Sequence, residues 1–468
     1  MRSLDFDAAK YSLKTFSTNR QKITCRAYEN IVYVTNPVDP KHQILNFYVP
    51  EAYYHGKSIG KYSAETAPVF FPNRVGGYLP ARPVAPGQSA NGDPNAALAA
   101  LSKGYIVASP GARGRTSRGE NGQFTGKAPA GIVDLKAAVR YMRHNNRVIP
   151  GDTQKIISNG TSAGGALSAL LGVTGNNPAY EPYLEALGAA DEPDHIFAAS
   201  CYCPIMNLEN ADMAYEWMFN GLSQYNRLSV AKDTDYRAQR RRVQGTLSRQ
   251  QMKISDMLKA MFPAYLNSLG LQNADGTALT LNADGNGTFK DYIESLLIVS
   301  AQRALSDGKD LSASAGMIVK GGEVADIDFD QYIRYSSRIK APVAFDGLDL
   351  STCENELFGT AAIDAQHFTR FGLENSAVKG SLADAAVVNL MNPMNAIGVK
   401  CSAQHWRIRH GTLDSDTSLA IPVILATKLE NTGCAVDFSL PWDRRHGGDY
   451  DMENLFDWID QVCSDDYC

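Results

Sequence analysis

Over its first two hundred residues the chain alternates short apolar runs with amphipathic stretches. Ile44-Leu45-Asn46-Phe47-Tyr48-Val49, Ala67-Pro68-Val69-Phe70-Phe71 and Gly104-Tyr105-Ile106-Val107-Ala108-Ser109 predict strands, the last a buried parallel one. From about Ile132 the residues Leu135, Val139 and Met142 recur at helical spacing as far as Asn145-Asn146. The turn Pro150-Gly151-Asp152 then opens the run Lys155-Ile156-Ile157-Ser158-Asn159. Such alternation predicts a mostly parallel sheet covered by helices on both faces. From Leu208 to Asn395 helical patterns dominate. Ser248 and Gln251 form a capping box for a helix through Met252, Leu258, Met261 and Leu266. Two Asn-Ala-Asp-Gly turns, starting at Asn273 and Asn282, bracket a short predicted strand, Thr277-Ala278-Leu279-Thr280-Leu281. After Asn395 the α/β texture returns with a strand from His405 to His410, a helix from Leu419 to Leu429, a strand from Val436 to Leu440 and a helix from Met452 to Val462. The simplest organisation is one α/β domain, residues 1–207 and 396–468, interrupted by a mainly helical insertion, residues 208–395. An insertion there lies over the carboxyl ends of the strands, as a lid.

The sequence Gly160-Thr161-Ser162-Ala163-Gly164 changes the picture, because a strand leads into it and Gly165-Ala166-Leu167-Ser168-Ala169-Leu170-Leu171, a helix-forming run, leads out. Ser162 would then stand on the nucleophile elbow of an α/β-hydrolase fold. Small flanking residues permit the strained turn, and the first helical amides face the space where an oxyanion would form. The same bare pattern occurs at Gly56-Lys57-Ser58-Ile59-Gly60, without a following helix, and predicts only a surface turn.

Composition narrows the classes. Charged residues make up 20% of the 468 and hydrophobic ones 44%, the usage of a soluble globular protein. A net charge of −5 gives no general attraction for nucleic acid or anionic lipid. Arg237, Arg240, Arg241 and Arg242, preceded by Asp233 and Asp235, predict a solvated helix face. No apolar run reaches membrane-spanning length, and the start carries acids where a signal peptide needs an apolar core, so neither a leader nor an anchor is expected. The eight cysteines lack the paired spacing of a structural zinc site, and the histidines show no ligand spacing on a helix face; neither metal nor cofactor is expected. Buried thiols are the expectation for Cys201 and Cys203.

In this fold the partners of the serine follow in the order acid, then histidine, on loops after late strands. The strand from His405 runs into Gly411-Thr412-Leu413-Asp414-Ser415-Asp416, and the strand from Val436 runs into Pro441-Trp442-Asp443-Arg444-Arg445-His446-Gly447-Gly448. His446 is the candidate base. Two acids compete: Asp414 is favoured because it lies closer to the strand end, which leaves Asp416 for substrate contact or as a cap of the following helix. The oxyanion donors are expected to be the amide of Ala163 and that of Gly77, in Val75-Gly76-Gly77-Tyr78, with Gly76 bordering the substrate.

The segments Pro72-Asn73-Arg74-Val75-Gly76-Gly77-Tyr78-Leu79-Pro80, Asn159-Gly160-Thr161-Ser162-Ala163-Gly164-Gly165, Asp212-Met213-Ala214-Tyr215-Glu216-Trp217 and His405-Trp406-Arg407-Ile408-Arg409-His410-Gly411 together resemble the bacterial tannases of the Lactobacillus type. The resemblance extends over nearly the whole chain. It implies cleavage of galloyl esters, such as tannic acid and alkyl gallates, to gallic acid and an alcohol, with a small polyphenol ester as the partner molecule. It also implies a triad of Ser162, Asp414 and His446 and contacts to the galloyl hydroxyls from Lys340, Glu354 and Asp416. Fungal tannases place a disulfide beside the serine and histidine; Thr161 and Gly447 stand at those positions here. A feruloyl-type or general carboxylesterase would share the triad. A silent binding scaffold would have no need to keep all three residues.

Overall fold

Thirteen strands are present among the described residues: β1 (Ser12–Ser17), β2 (Lys22–Val32), β3 (Ile44–Pro50), β4 (Pro68–Pro72), β5 (Ile106–Pro110), β6 (Asp152–Thr161), β7 (Ala198–Tyr202), β8 (Gln224–Val230), β9 (Arg240–Thr246), β10 (Met317–Lys320), β11 (Glu323–Ile327), β12 (His405–Arg409) and β13 (Ala435–Ser439). The computed structural model describes residues 2–18, 21–89, 92–230, 240–311, 314, 316–398 and 403–464. Nine strands form one sheet in the order β1-β2-β3-β5-β4-β6-β7-β12-β13. The pairs from β5 to β13 are parallel, and β3, β2 and β1 extend the sheet from β5 through three successive antiparallel pairs. Every residue of β4, β5 and β7 is buried, which is why these strands read as unbroken apolar runs: helices cover both faces. The helices Ala130–His144 and Ala163–Val173 lie where periodicity places them. This is the α/β-hydrolase arrangement with a large insertion between β7 and β12.

The insertion encloses Trp217, whose ring lies 5.4 Å from Phe262, 6.0 Å from Phe289 and 6.1 Å from Phe329. The helix Arg249–Ser268 carries the predicted capping box of Ser248 and Gln251. Two expectations fail here. No strand forms at Thr277–Leu281, where a lone bridge joins Gln272 and Ala278. The Thr280 amide instead donates to Thr288 Oγ1 at 2.8 Å and the Leu281 amide to Asn267 Oδ1 at 2.8 Å, so side chains of the adjacent helices take the groups a ladder would need. Both Asn-Ala-Asp-Gly turns do form, with Gly276 N–H bonded to Asn273 O at 3.0 Å and Gly285 N–H to Asn282 O at 2.9 Å. The arginine-rich stretch is not a helix from residue 240 onward: β9 pairs with β8, Tyr225 opposite Gly245. A paired partner overrides the modest helix preference of arginine. Arg237, Asp233 and Asp235, like Cys401 and Cys468, lie outside the described residues. The ribbons β8–β9 and β10–β11 add strand to a segment whose pattern predicted helices. None of the helices among the described residues is long and apolar enough to cross a membrane.

Candidate active site

β6 ends in an elbow. Ser162 has φ 62° and ψ −123°, a left-handed conformation that an L-residue adopts only when its surroundings enforce it. Its amide donates to Tyr202 O at 3.0 Å, and its carbonyl accepts from Ala166 at 3.0 Å and Ile205 at 3.2 Å. The glycines around it are required by space. A Cβ on Gly164 would stand 2.6 Å from Asn73 Oδ1 and 2.8 Å from Val75 O, and one on Gly165 would stand 2.6 Å from Tyr202 O. Asn73 fastens the loop after β4 to the elbow, its Nδ2 donating to Gly164 O at 3.0 Å and Ser168 Oγ at 3.1 Å. That loop turns through Gly77 at φ 52°, and Arg115 Nε holds the Gly77 carbonyl at 2.8 Å. Arg115 is itself ion-paired to Glu356. Among the described residues, neither the Gly77 N–H nor the Ala163 N–H donates to a protein acceptor.

The loops after β12 and β13 meet, with Leu413 N–H donating to Arg444 O at 2.9 Å and Asp443 N–H to Thr412 Oγ1 at 2.9 Å. This contact sets His446 Nδ1 2.8 Å from Asp414 Oδ2. The second acid of the loop is farther, Asp416 Oδ2 standing 3.8 Å from the same nitrogen. The Asp414 carboxylate is buried and also accepts the Asp416 amide at 2.9 Å. Burial alone would raise its pKa, but the opposing His446 and His410 rings and these hydrogen bonds hold it down at about 2. Burial likewise disfavours the His446 cation, and the Asp414 carboxylate overcomes that and keeps the imidazole well above its ordinary value. The loop bearing His446 is tied to the nucleophile strand by Asn159 Nδ2, which donates to Asp449 Oδ1 at 2.9 Å. It is tied to the neighbouring strands by Tyr202 Oη, which donates to Asp451 Oδ1 at 2.6 Å, and by the Arg407–Asp451 pair.

One cleft of about 2160 Å³ is lined by Gly76, Gly77, Ser162, Ala163 and His446 from the sheet side. Lys340, Glu354 and Asp416 line the same cleft, while Asp414 stands behind His446. The Lys340 ammonium donates to the backbone carbonyl of Asp416 at 2.6 Å and lies 4.1 Å from the Phe345 ring centre. Glu354 is 5% exposed, and its carboxylate accepts from the Cys353 thiol at 3.1 Å. The strap that carries Lys340 is fastened by Asp212, whose carboxylate accepts the amides of Ala344, Phe345 and Asp346 at 2.6, 2.8 and 2.9 Å.

Three residues here were missed by sequence reasoning. Arg115 carried no motif. His410, read as a strand residue, follows β12 and is fully buried with Nδ1 3.8 Å from Asp414 Oδ2; burial lowers its pKa against the opposing pull of the Asp414 carboxylate. Cys203 is buried, as expected, but its place beside the histidine was not read from the sequence. It has left β7, at φ 37°, and its thiol donates to Gly447 O at 3.4 Å.

The BD-FAE family model matches residues 87–263, a stretch that contains the elbow and ends before Asp414 and His446. Esterase LipQ of Mycobacterium tuberculosis is 35% identical over 97 residues, and the chain spans 22% of that protein's length. The Fusobacterium nucleatum tannase structure is 50% identical over 98% of this chain and 99% of its own, with a TM-score of 0.96. The Lactobacillus plantarum tannase structure is 47% identical over the same shares, 98% and 99%, with a TM-score of 0.94. A tannin acyl hydrolase solved in complex with ethyl gallate is 47% identical, again over 98% and 99%, with a TM-score of 0.92.

Proposed function

Because the chain belongs to the bacterial tannases and is an esterase of galloyl esters, we propose that Ser162, His446 and Asp414 carry out its chemistry in two acyl transfers. Ser162 Oγ attacks the galloyl carbonyl while its proton passes to His446 Nε2. The imidazolium formed is stabilised by Asp414 at Nδ1. The carbonyl oxygen, now an oxyanion, accepts the Gly77 and Ala163 amides. As the intermediate collapses, the C–O bond to the alcohol breaks and His446 gives its proton to the departing oxygen, leaving galloyl-Ser162. Water then attacks the ester, its proton going to His446, and gallic acid leaves as the proton returns to Ser162.

We assign the recognition of the galloyl ring to Lys340, Glu354 and Asp416, with Gly76 bordering the ester. Adjacent phenolic hydroxyls are good donors, so two carboxylates and an ammonium can satisfy them. These residues come from residues 208–395, which we take to be an inserted lid unit, and from the loop after β12. The observation that carries the assignment is the His446–Asp414 bond of 2.8 Å in the same cleft as Ser162 and all three recognition groups. The test is gallic acid release from methyl gallate, with and without a sulfonyl fluoride, together with the mass of the trapped intermediate. Release abolished by the reagent, and a galloyl adduct that Ser162→Ala does not form, are expected. An adduct persisting in Ser162→Ala would remove Ser162 as nucleophile. Turnover of methyl ferulate equal to that of methyl gallate would remove the proposed role of the three recognition residues.

A further inference from the structure

Ester hydrolysis by this site uses no thiol, yet Cys203 is placed against the base. The ligand-capable atoms of Cys203, Asp414 and His446 lie within 4.8 Å of one another. Cys203 is 1% exposed and Asp414 is 1% exposed, whereas the His446 side chain is 26% exposed and faces the cleft. A thiolate, an imidazole and a carboxylate are the donor set that selects Zn²⁺ and its heavier relative Cd²⁺ over hard cations. Donors around a tetrahedral zinc ion stand about 3.5 Å apart, so the group needs a contraction of about 1 Å at its widest. His446, the member on the open side, can supply it. The Asp416 carboxylate, 3.8 Å from His446 Nδ1 but outside this group of three, adds an acidic group on the cleft side.

We propose that Cys203, Asp414 and His446 form an inhibitory site for a thiophilic divalent cation, Zn²⁺ or Cd²⁺, beside the reacting serine. On binding, a metal–sulfur bond forms and the thiol proton leaves to water. One ring nitrogen of His446 becomes a ligand. If it is Nδ1, its proton moves to Nε2, which then has no lone pair for the Ser162 proton; if it is Nε2, the metal occupies that lone pair. The base is lost either way, without any change to the serine. Binding is independent of the role assigned to His446, but inhibition rests on it.

The test titrates the intact protein with cadmium chloride alone, following the ultraviolet sulfur-to-cadmium charge-transfer absorption, and measures inhibition of methyl gallate hydrolysis by zinc chloride and its reversal by EDTA. Cys203→Ala and Cys203→Ser should lose one equivalent of that absorption. They should need about a hundredfold more zinc for half-inhibition, since loss of even a supporting partner of a metal ligand costs about 10–100-fold in affinity. Turnover without metal should persist in both. Cys353→Ser, which alters another thiol bordering the cleft, should keep the wild-type cadmium absorption and the wild-type half-inhibiting zinc concentration. In wild-type protein, cadmium NMR should show a bound ion with one thiolate ligand, a readout that needs no variant to fold. A resonance with oxygen ligands only, or zinc sensitivity that follows Cys353 and not Cys203, would overturn the site. Full cadmium absorption with turnover untouched would overturn inhibition together with the assignment of His446 as base. No absorption in an active enzyme would overturn the metal site alone and leave the triad standing.

Discussion

Replacing Asp416 by asparagine removes a charge and almost no volume, and the structure separates its two consequences. The backbone contacts of residue 416 are retained: its amide still reaches Asp414 Oδ1, 2.9 Å away, and its carbonyl still accepts Lys340 Nζ at 2.6 Å. What changes first is recognition. A hydrogen bond to a charged group contributes about 1.5–3 kcal/mol and one between neutral groups about 0.5–1.5. The difference of about 1–2 kcal/mol corresponds to roughly 5–30-fold in kcat/KM, and only for substrates whose ring hydroxyls reach the carboxylate. The second change is electrostatic. Two unit charges about 4 Å apart interact by about 1 kcal/mol in water and about 4 near a protein surface. Asp416 Oδ2 is 3.8 Å from His446 Nδ1, but the side chain is 36% exposed, so solvent screening favours the lower figure. About 1 kcal/mol is a little under one pH unit. The acid limb of the pH profile should therefore move down by less than a unit for every substrate, leaving the plateau alone. The assay compares methyl gallate with methyl benzoate on the plateau and across the limb. A 5–30-fold loss on gallate with the benzoate rate held within about twofold is expected. Equal losses on both esters at plateau pH would refute the reasoning and make Asp416 a support of the His446 loop.

Asp414→Asn should shift the acid limb of kcat/KM to lower pH, because the base must be unprotonated to act and the carboxylate is what holds its pKa up against burial. The plateau should fall by about four orders of magnitude as the imidazolium loses its partner; a pH–rate profile with an unmoved limb would exclude Asp414 as that partner. Gly164→Ala puts a methyl group 2.8 Å from a backbone oxygen, so a stability loss of about 1–3 kcal/mol in urea unfolding is expected, with a larger loss in kcat as the Gly76-Gly77 loop is pushed away. Unchanged kcat would detach that loop from catalysis. Arg338→Met leaves Glu216, whose side chain is 1% exposed, without its ion-pair partner and should cost about 3–5 kcal/mol; Glu216→Gln added to it should recover most of the loss. No recovery in the double variant would show that packing, not the stranded charge, sets the cost.

The parts of the protein that the sequence made legible are those governed by local rules. The runs of β4 and β5 are uninterrupted because both faces are covered, and the elbow is marked by glycines that no larger residue could replace. β2 alternates buried Ile23, Cys25 and Ala27 with half-buried Thr24 and Arg26, a period-two pattern that is also present in the sequence. Lys340 and Glu354 are different in kind: no periodicity or spacing marks them, and only resemblance to the bacterial tannases singled them out. Their positions depend on the Asp212 carboxylate gathering three amides more than 130 residues away, which no local pattern encodes. The two acids of the loop after β12 were ambiguous for a related reason. Which carboxylate faces the histidine is decided where two loops meet, at 2.8 Å for Asp414 and 3.8 Å for Asp416.

That division has a functional consequence. The groups proposed for acyl transfer stand at the ends of β6, β12 and β13, held by the sheet and by Arg407 and Tyr202 beneath it. Lys340 and Glu354 belong to the insertion, whose own segments are joined through Asp212 and the buried Arg338–Glu216 pair. Among the contacts that join the two halves at the loop after β12, the Lys340 ammonium donates to the carbonyl of Asp416, two residues beyond Asp414, and Tyr332 Oη donates to Thr412 O at 2.6 Å. The BD-FAE family match over residues 87–263 includes Ser162 and the first part of the insertion, and reaches neither Lys340 and Glu354 nor Asp414 and His446. If Lys340 and His446 have the roles proposed above, a galloyl ring bound against Lys340 is coupled through this hydrogen bond to the loop that carries Asp414. Discrimination among esters should on this account be expressed in kcat as well as in KM, because recognition and proton transfer share one hydrogen-bonded segment.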